Sequence, residues 1–214
     1  MKPRFAVALA FSSSLAFAGA ARASDAEVDP SHGRIEGDVA AVGAAGLTFG
    51  PTAPRLAGDV RFRYLSTAGL FATYEDGPAI GSASDPRRVL AVGIELRPLF
   101  LARWFQGRET GNAYFDLTLD SFALELGAVF LQPAGGDFAS KPGLQAGLGL
   151  ELPIFPNATG PLVGVHGGCR WSNDALGGGP IQGPVDRALY LMLVVGWQQV
   201  FGGHLVDFDD RAPR

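Results

Sequence analysis

Leu90-Ala91-Val92-Gly93-Ile94-Glu95-Leu96-Arg97 alternates without a break. One parity holds Leu90, Val92, Ile94 and Leu96, and the other holds Ala91, Gly93, Glu95 and Arg97. A period of two belongs to a β-strand with two unlike faces. The same alternation runs through Asp59-Val60-Arg61-Phe62-Arg63-Tyr64, through Phe122-Ala123-Leu124-Glu125-Leu126-Gly127, and from Leu144 to Leu152. The second face sets Gly and Ala beside charges of both signs. A sheet face turned to water would carry more Thr, Lys and Glu. A narrow barrel interior has room for small residues and paired charges, which leaves the all-apolar face for lipid. A soluble barrel or sandwich with Leu and Val turned inward would show the same alternation.

Working outward, eight segments take this form, near residues 34–48, 55–65, 68–76, 87–97, 121–131, 142–153, 161–172 and 187–201. Turn-forming stretches separate them, such as Gly50-Pro51-Thr52-Ala53-Pro54, Asp76-Gly77-Pro78 and Gly177-Gly178-Gly179-Pro180. The predicted fold is all-β, a single antiparallel up-and-down transmembrane β-barrel of about eight strands. Loops near 77–86, 132–141 and 173–186 then fall on one side, and shorter turns near 66–67 and 154–160 on the other. The stretch 98–120 is a long connection on the short-turn side. Within it, Pro98 to Gly107 suits one or two helical turns at an interface. Tyr114 to Asp120 alternates and reads as an extra strand, which keeps a ten-strand count open.

Residues 1–23 have the form of a signal peptide. Lys2 and Arg4 precede an apolar run from Phe5 to Phe17, and Ala21-Arg22-Ala23 offers a cleavage site. The expected organisation is signal peptide 1–23, barrel domain 24–201 and C-terminal tail 202–214. Cleavage removes Lys2, Arg4 and Arg22 but no acidic residue, so the net charge of −4 becomes −7. That balance argues against nucleic-acid binding. No later segment is long and apolar enough for a helical span. Cys169 is the only cysteine, which excludes a disulfide framework, and none stands at the cleavage point for a lipid anchor.

Leu189, Leu191, Leu193, Val195, Trp197 and Phe201 share one parity, broken only by Gln199. An amphipathic last strand with a terminal aromatic resembles the C-terminal signal of outer-membrane proteins, although Gly202 to Arg214 follow here. Over about residues 34–201 the chain resembles the small OmpA-like and porin-type barrels of Gram-negative bacteria. Trp104, Trp171 and Trp197 fall near expected strand ends, where interface girdles sit. The resemblance implies an outer-membrane location, with membrane lipid and the barrel-assembly machinery as partners. It also implies a non-enzymatic role of structural, adhesive or solute-passage type.

Candidate chemistry is sparse. His166 stands on the lumen parity beside Arg170. Outer-membrane lipid A deacylases place Ser two residues after such a His, but Gly168 occupies that position. Cys169 has lipid-face parity and lacks a thiolate-stabilising setting. His32, His166 and His204 are too far apart for a metal motif. Gly177-Gly178-Gly179 lacks the Lys-Ser/Thr of a phosphate loop, and Asn157-Ala158-Thr159 fits a glycosylation sequon. Asp116, Asp120 and Glu125 form a conceivable acid/base group. On strands, however, carboxylates and arginines chiefly pair with each other. The expected lumen charge network is Asp59, Arg61, Arg63, Glu95, Arg97, Glu125, Glu151 and Arg170, with Glu36 and Asp38 as further candidates. No catalytic, cofactor-binding or metal-binding residue is expected. The alternatives are a membrane-embedded lipid-modifying enzyme or a soluble periplasmic barrel binding an apolar ligand.

Overall fold

A computed structural model describes residues 39–51, 53–78, 86–108, 110–181 and 183–201. Its strands are β1 (Val39–Phe49), β2 (Arg55–Tyr64), β3 (Ala68–Asp76) and β4 (Pro86–Leu96), followed by β5 (Ala123–Pro133), β6 (Gly143–Pro153), β7 (Gly160–Trp171) and β8 (Arg187–Phe201). Helices α1 (Pro98–Gln106) and α2 (Ala113–Asp120) link β4 to β5, and the short α3 (Asn173–Leu176) lies between β7 and β8. Each strand pairs antiparallel with its sequence neighbour. β1 pairs with β8 from Val39↔Phe201 to Phe49↔Leu191, which closes the barrel. The expected signal peptide and C-terminal tail, with Glu36, Asp38, His32 and His204, lie outside the described residues.

The alternation assigns the faces. Along β2 every odd residue from Arg55 to Arg63 is buried and every even one is exposed. Leu56 is 70% exposed, Leu70 62% and Leu189 69%. The exterior is therefore apolar, and the parity that carries the charges lines the interior. The interior also holds apolar material. Phe71, Val89, Ala91, Val129 and Leu131 form one buried cluster, and Ala57, Tyr190, Met192 and Val194 another. Gly127 makes room for the first, since a Cβ there would lie 3.0 Å from the Phe71 ring and 2.5 Å from the Val92 carbonyl oxygen.

The extra strand expected at 114–120 is instead helix α2, and the barrel closes with eight strands. Asn112 caps it, accepting a hydrogen bond from the Phe115 N–H at 3.2 Å. The helical period puts Asp116 and Asp120 on one face, four residues apart, where both meet Arg103 of α1. Strand geometry would also have put them on one face, but without that shared partner. The β2–β3 turn is tight. Leu65 and Ser66 both adopt left-handed φ (48° and 53°), and the Thr67 N–H donates to the Tyr64 carbonyl at 3.0 Å.

Candidate functional site

The lumen gathers five guanidinium groups (Arg55, Arg61, Arg63, Arg97, Arg170) and five carboxylates (Asp59, Glu75, Glu95, Glu125, Glu151), all buried. An isolated buried charge is costly, so each must be paired and hydrogen-bonded. The pleat supplies them from one parity of β2, β3, β4, β5, β6 and β7, with Arg97 directly after the end of β4, and the register sets which ones meet.

At the end where β1 begins and β8 finishes, Arg63 bonds both Glu95 and Glu151 and donates to Gln198 Oε1 at 2.9 Å. Arg97 donates to Glu151 Oε2 at 2.7 Å. The backbone of Glu151 is fixed in turn by Ser121, whose hydroxyl donates to its carbonyl at 2.7 Å and accepts from its N–H at 2.9 Å. A cavity of about 20 Å³ touches Arg97, Leu117, Glu151 and Gln198, on the scale of one water molecule.

Arg61 organises the centre. It donates to Asp59, Glu95 and Glu125, each at 2.6 Å, and its guanidinium lies 5.6 Å from the Phe71 ring centroid. Thr73 donates to Asp59 at 2.8 Å. Glu125 also contacts His166 Nδ1 at 2.8 Å. An ionised carboxylate only accepts, so Nδ1 is the donor in this contact. The His166 Nε2 atom is buried and makes no hydrogen bond. A Cβ on Gly149 would fall 2.6 Å from Nδ1, so the His166–Glu125 contact depends on a residue without a side chain.

Towards the opposite end Arg170 binds Glu75 through both terminal nitrogens, at 2.6 and 3.0 Å, and donates to Gln145 at 2.7 Å. This fork geometry suits guanidinium and carboxylate. Arg55 adds a 2.8 Å bond to Glu75. The Tyr190 ring lies 3.9 Å beneath the Arg170 guanidinium.

The structure thus brings Asp59, Arg61, Arg63, Glu95, Arg97, Glu125 and Glu151 into one connected group, while Arg170 joins Glu75 in a second. Arg55, Glu75, Thr73, Gln145, Gln198 and Tyr190 are partners that the sequence reading passed over. Glu75 shares parity with Phe71 and Thr73, so an apolar neighbour disguised its face. Asp116 and Asp120 stand apart from Glu125 and engage Arg103. Burial raises the Asp116 pKa, but the Thr110 N–H and the Arg103 guanidinium outweigh it and hold the carboxyl below its ordinary value.

His166 faces the lumen and Gly168 lies on the same inward parity. Cys169 lies half-buried on the outer side of β7. Gly177 to Gly179 follow α3 in an irregular connection at the far end. Thr159 accepts from the Val200 N–H at 3.1 Å and Ala158 from Gln198 at 2.6 Å, so the sequon stretch is stitched to β8. Among the described residues no group of His, Cys, Asp or Glu has the arrangement of a metal site. None of their helices is long and apolar enough to cross a membrane.

No protein-family model matches the sequence, and no curated protein matches it. Among solved structures the chain is similar to CarO2 of Acinetobacter baumannii, at 12% identity over 75% of this chain and 99% of that one, with a TM-score of 0.47. It is similar to Ail, the attachment invasion locus protein of Yersinia pestis, at 14% identity over 76% and 99% (TM-score 0.37). OprG, an outer membrane protein of Pseudomonas aeruginosa, matches at 14% identity over 78% and 99% (TM-score 0.36).

Proposed function

We propose that this chain is exported to the outer membrane of a Gram-negative cell and serves there as a closed barrel, with a structural or adhesive role exercised at its ends rather than through its lumen. The observation that carries this reading is the inversion of the wall. Ten paired charges lie inside, and an apolar row that includes Leu56, Phe62, Leu70, Leu189 and Val195 lies outside. Water on the outside would penalise such a surface, whereas hydrocarbon favours it. The closed β1–β8 seam supports the same reading, because hydrocarbon tolerates no open sheet edge. The filled lumen favours a non-conducting barrel over a solute channel. A lipid-modifying role is disfavoured because His166 points away from the surrounding lipid.

The test is expression with the native leader, then carbonate and urea extraction of membranes, gel mobility with and without boiling, and single-molecule conductance in planar bilayers. The expected results are retention in the membrane, a heat-dependent shift and no steady conductance. A protein that washes off as a soluble monomer overturns the membrane reading. A stable open current overturns the closed-lumen reading.

A further inference from the structure

The connection between β4 and β5 is inverted in the same sense as the wall. On α1, a helical wheel places Pro98, Leu101, Ala102 and Phe105 on one arc. All four are exposed, Phe105 at 77%. The opposite arc carries the buried Phe100 and the half-buried Arg103. A helix covering a water-soluble body would show charge on its outer arc. α2 goes further. Its inward arc holds Asp116, Leu117 and Asp120, all buried, while Tyr114 and Phe115 point outward, 47% and 51% exposed. The hairpin turns its carboxylates in, towards Arg103, and its aromatics out.

This apolar surface continues that of the barrel. Leu96, the last outward residue of β4, is exposed and stands two residues before α1. The Tyr114 hydroxyl donates to the Ile154 carbonyl at 3.1 Å, which ties α2 to the turn after β6. Ile154 and Phe155 in that turn are themselves exposed. Arg108, exposed just beyond α1, supplies a positive charge at the border.

We propose that the α1–α2 hairpin lies in the phospholipid headgroup region of the periplasmic-side leaflet, with Leu101, Phe105, Tyr114 and Phe115 inserted among the acyl chains and Arg108 level with the phosphates. This rests on the membrane reading above. Tyrosine suits that depth, with a wet hydroxyl and an apolar ring. The hairpin then anchors one side of the barrel, the side of β4 to β6.

The experiment places a nitroxide label at single cysteines in a Cys169→Ser background: Leu101→Cys, Phe105→Cys, Phe115→Cys, Leu193→Cys on the β8 exterior and Lys141→Cys at the opposite end. The whole protein is refolded into phospholipid vesicles, and a heat-dependent mobility shift verifies each variant. Collisions with oxygen, which dissolves in lipid, are compared with those of a water-soluble nickel chelate. At positions 101, 105 and 115 the expected result is loss of nickel collisions to the level seen at 193, with oxygen collisions kept, and the reverse at 141. If those three positions resemble 141 while 193 reports lipid, the hairpin faces water and the proposal fails alone. Exclusion of both reagents from them means a protein surface covers the hairpin, and spin–spin broadening identifies that surface as a second copy. Either finding also overturns the proposal. If 193 itself reports water, the membrane reading falls with it.

Discussion

In the barrel wall polar and apolar side chains separate at every second residue; in the α1–α2 hairpin they separate at every third or fourth. Arg61 sits between Val60 and Phe62 and turns away from both. Asp116 and Asp120, a helical turn apart, turn away from Tyr114 and Phe115. Both regions turn charges inward and present an apolar row outward. Inversion is therefore not a by-product of the pleat, because an element of different period shows it too. The regions differ in connectivity. The wall charges form a network in which Arg61 by itself touches three carboxylates, whereas in the hairpin one cation, Arg103, meets two carboxylates and local backbone donors complete the Asp116 contacts. Failure should accordingly be global in the wall and local in the hairpin.

The largest effect should come from Arg61→Ala, which removes the cation shared by Asp59, Glu95 and Glu125 and leaves them Thr73, Arg63 and His166 as side-chain hydrogen-bond partners. Loss of one member of a buried ion pair typically costs about 3–5 kcal/mol. Urea titration of the barrel in vesicles should show that loss or a failure to assemble. A near-neutral result would mean that water reaches the lumen freely. Next is Leu193→Arg, on the outer face of β8, which costs about 2–4 kcal/mol near the bilayer midplane and less towards either interface. Harmless assembly of that variant would show that the outer face does not meet hydrocarbon.

Arg103→Ala should cost less, about 1–3 kcal/mol for two carboxylates that lose the guanidinium they share while Asp116 keeps the Thr110 and Gly111 N–H groups. Its signature should be faster proteolysis between β4 and β5 with the barrel's heat-dependent shift intact. If the shift disappears as well, hairpin and wall are one cooperative unit.

Acid should act on the hairpin in the same local way. The Asp116 pKa is lower in the folded state than in the unfolded chain. Its contribution is fully present above the ordinary carboxylate value and is lost as pH falls through the depressed folded one. Proteolysis of the connection should therefore accelerate below about pH 4, near the ordinary aspartate value, and Asp116→Asn should flatten that dependence. The smallest effect is a gain. Leu65→Asn with Ser66→Gly relieves two left-handed residues in the β2–β3 turn. It should stabilise the barrel by about 1 kcal/mol in the same urea titration, since such residues cost roughly 1–2 kcal/mol each. No change would mean that packing around the buried Ser66 offsets the strain.

The strands were legible where one face was charged and the other apolar. β4, β6 and β2 start and stop within a residue or two of their expected limits. β8 was legible only by its outer row, because Tyr190, Met192 and Val194 make its inner face apolar as well. For the site, parity named residues but not partners. Arg63 meets Glu151 across the lumen, and only the register and shear of a closed barrel bring them together. Arg55 was missed because it stands at the first position of β2, beside a Pro-rich turn. Tyr114 to Asp120 misled because short runs fit both periods; the deciding fact, Arg103 poised between two carboxylates, is a contact at a distance in sequence.

The β1–β8 seam has a consequence for how such a chain reaches its final state. Every other pairing in the barrel joins sequence neighbours and can form as soon as both strands exist. The seam joins the first strand to the last, so its loop-closure entropy is the greatest in the molecule. Until it closes, β1 and β8 each present a row of unsatisfied amides and carbonyls, open to any stray strand. A chain stopped before β8 is thus an open ribbon with two adhesive borders rather than a smaller barrel. Timely delivery of the last fifteen-residue strand decides between a sealed cylinder and an aggregate.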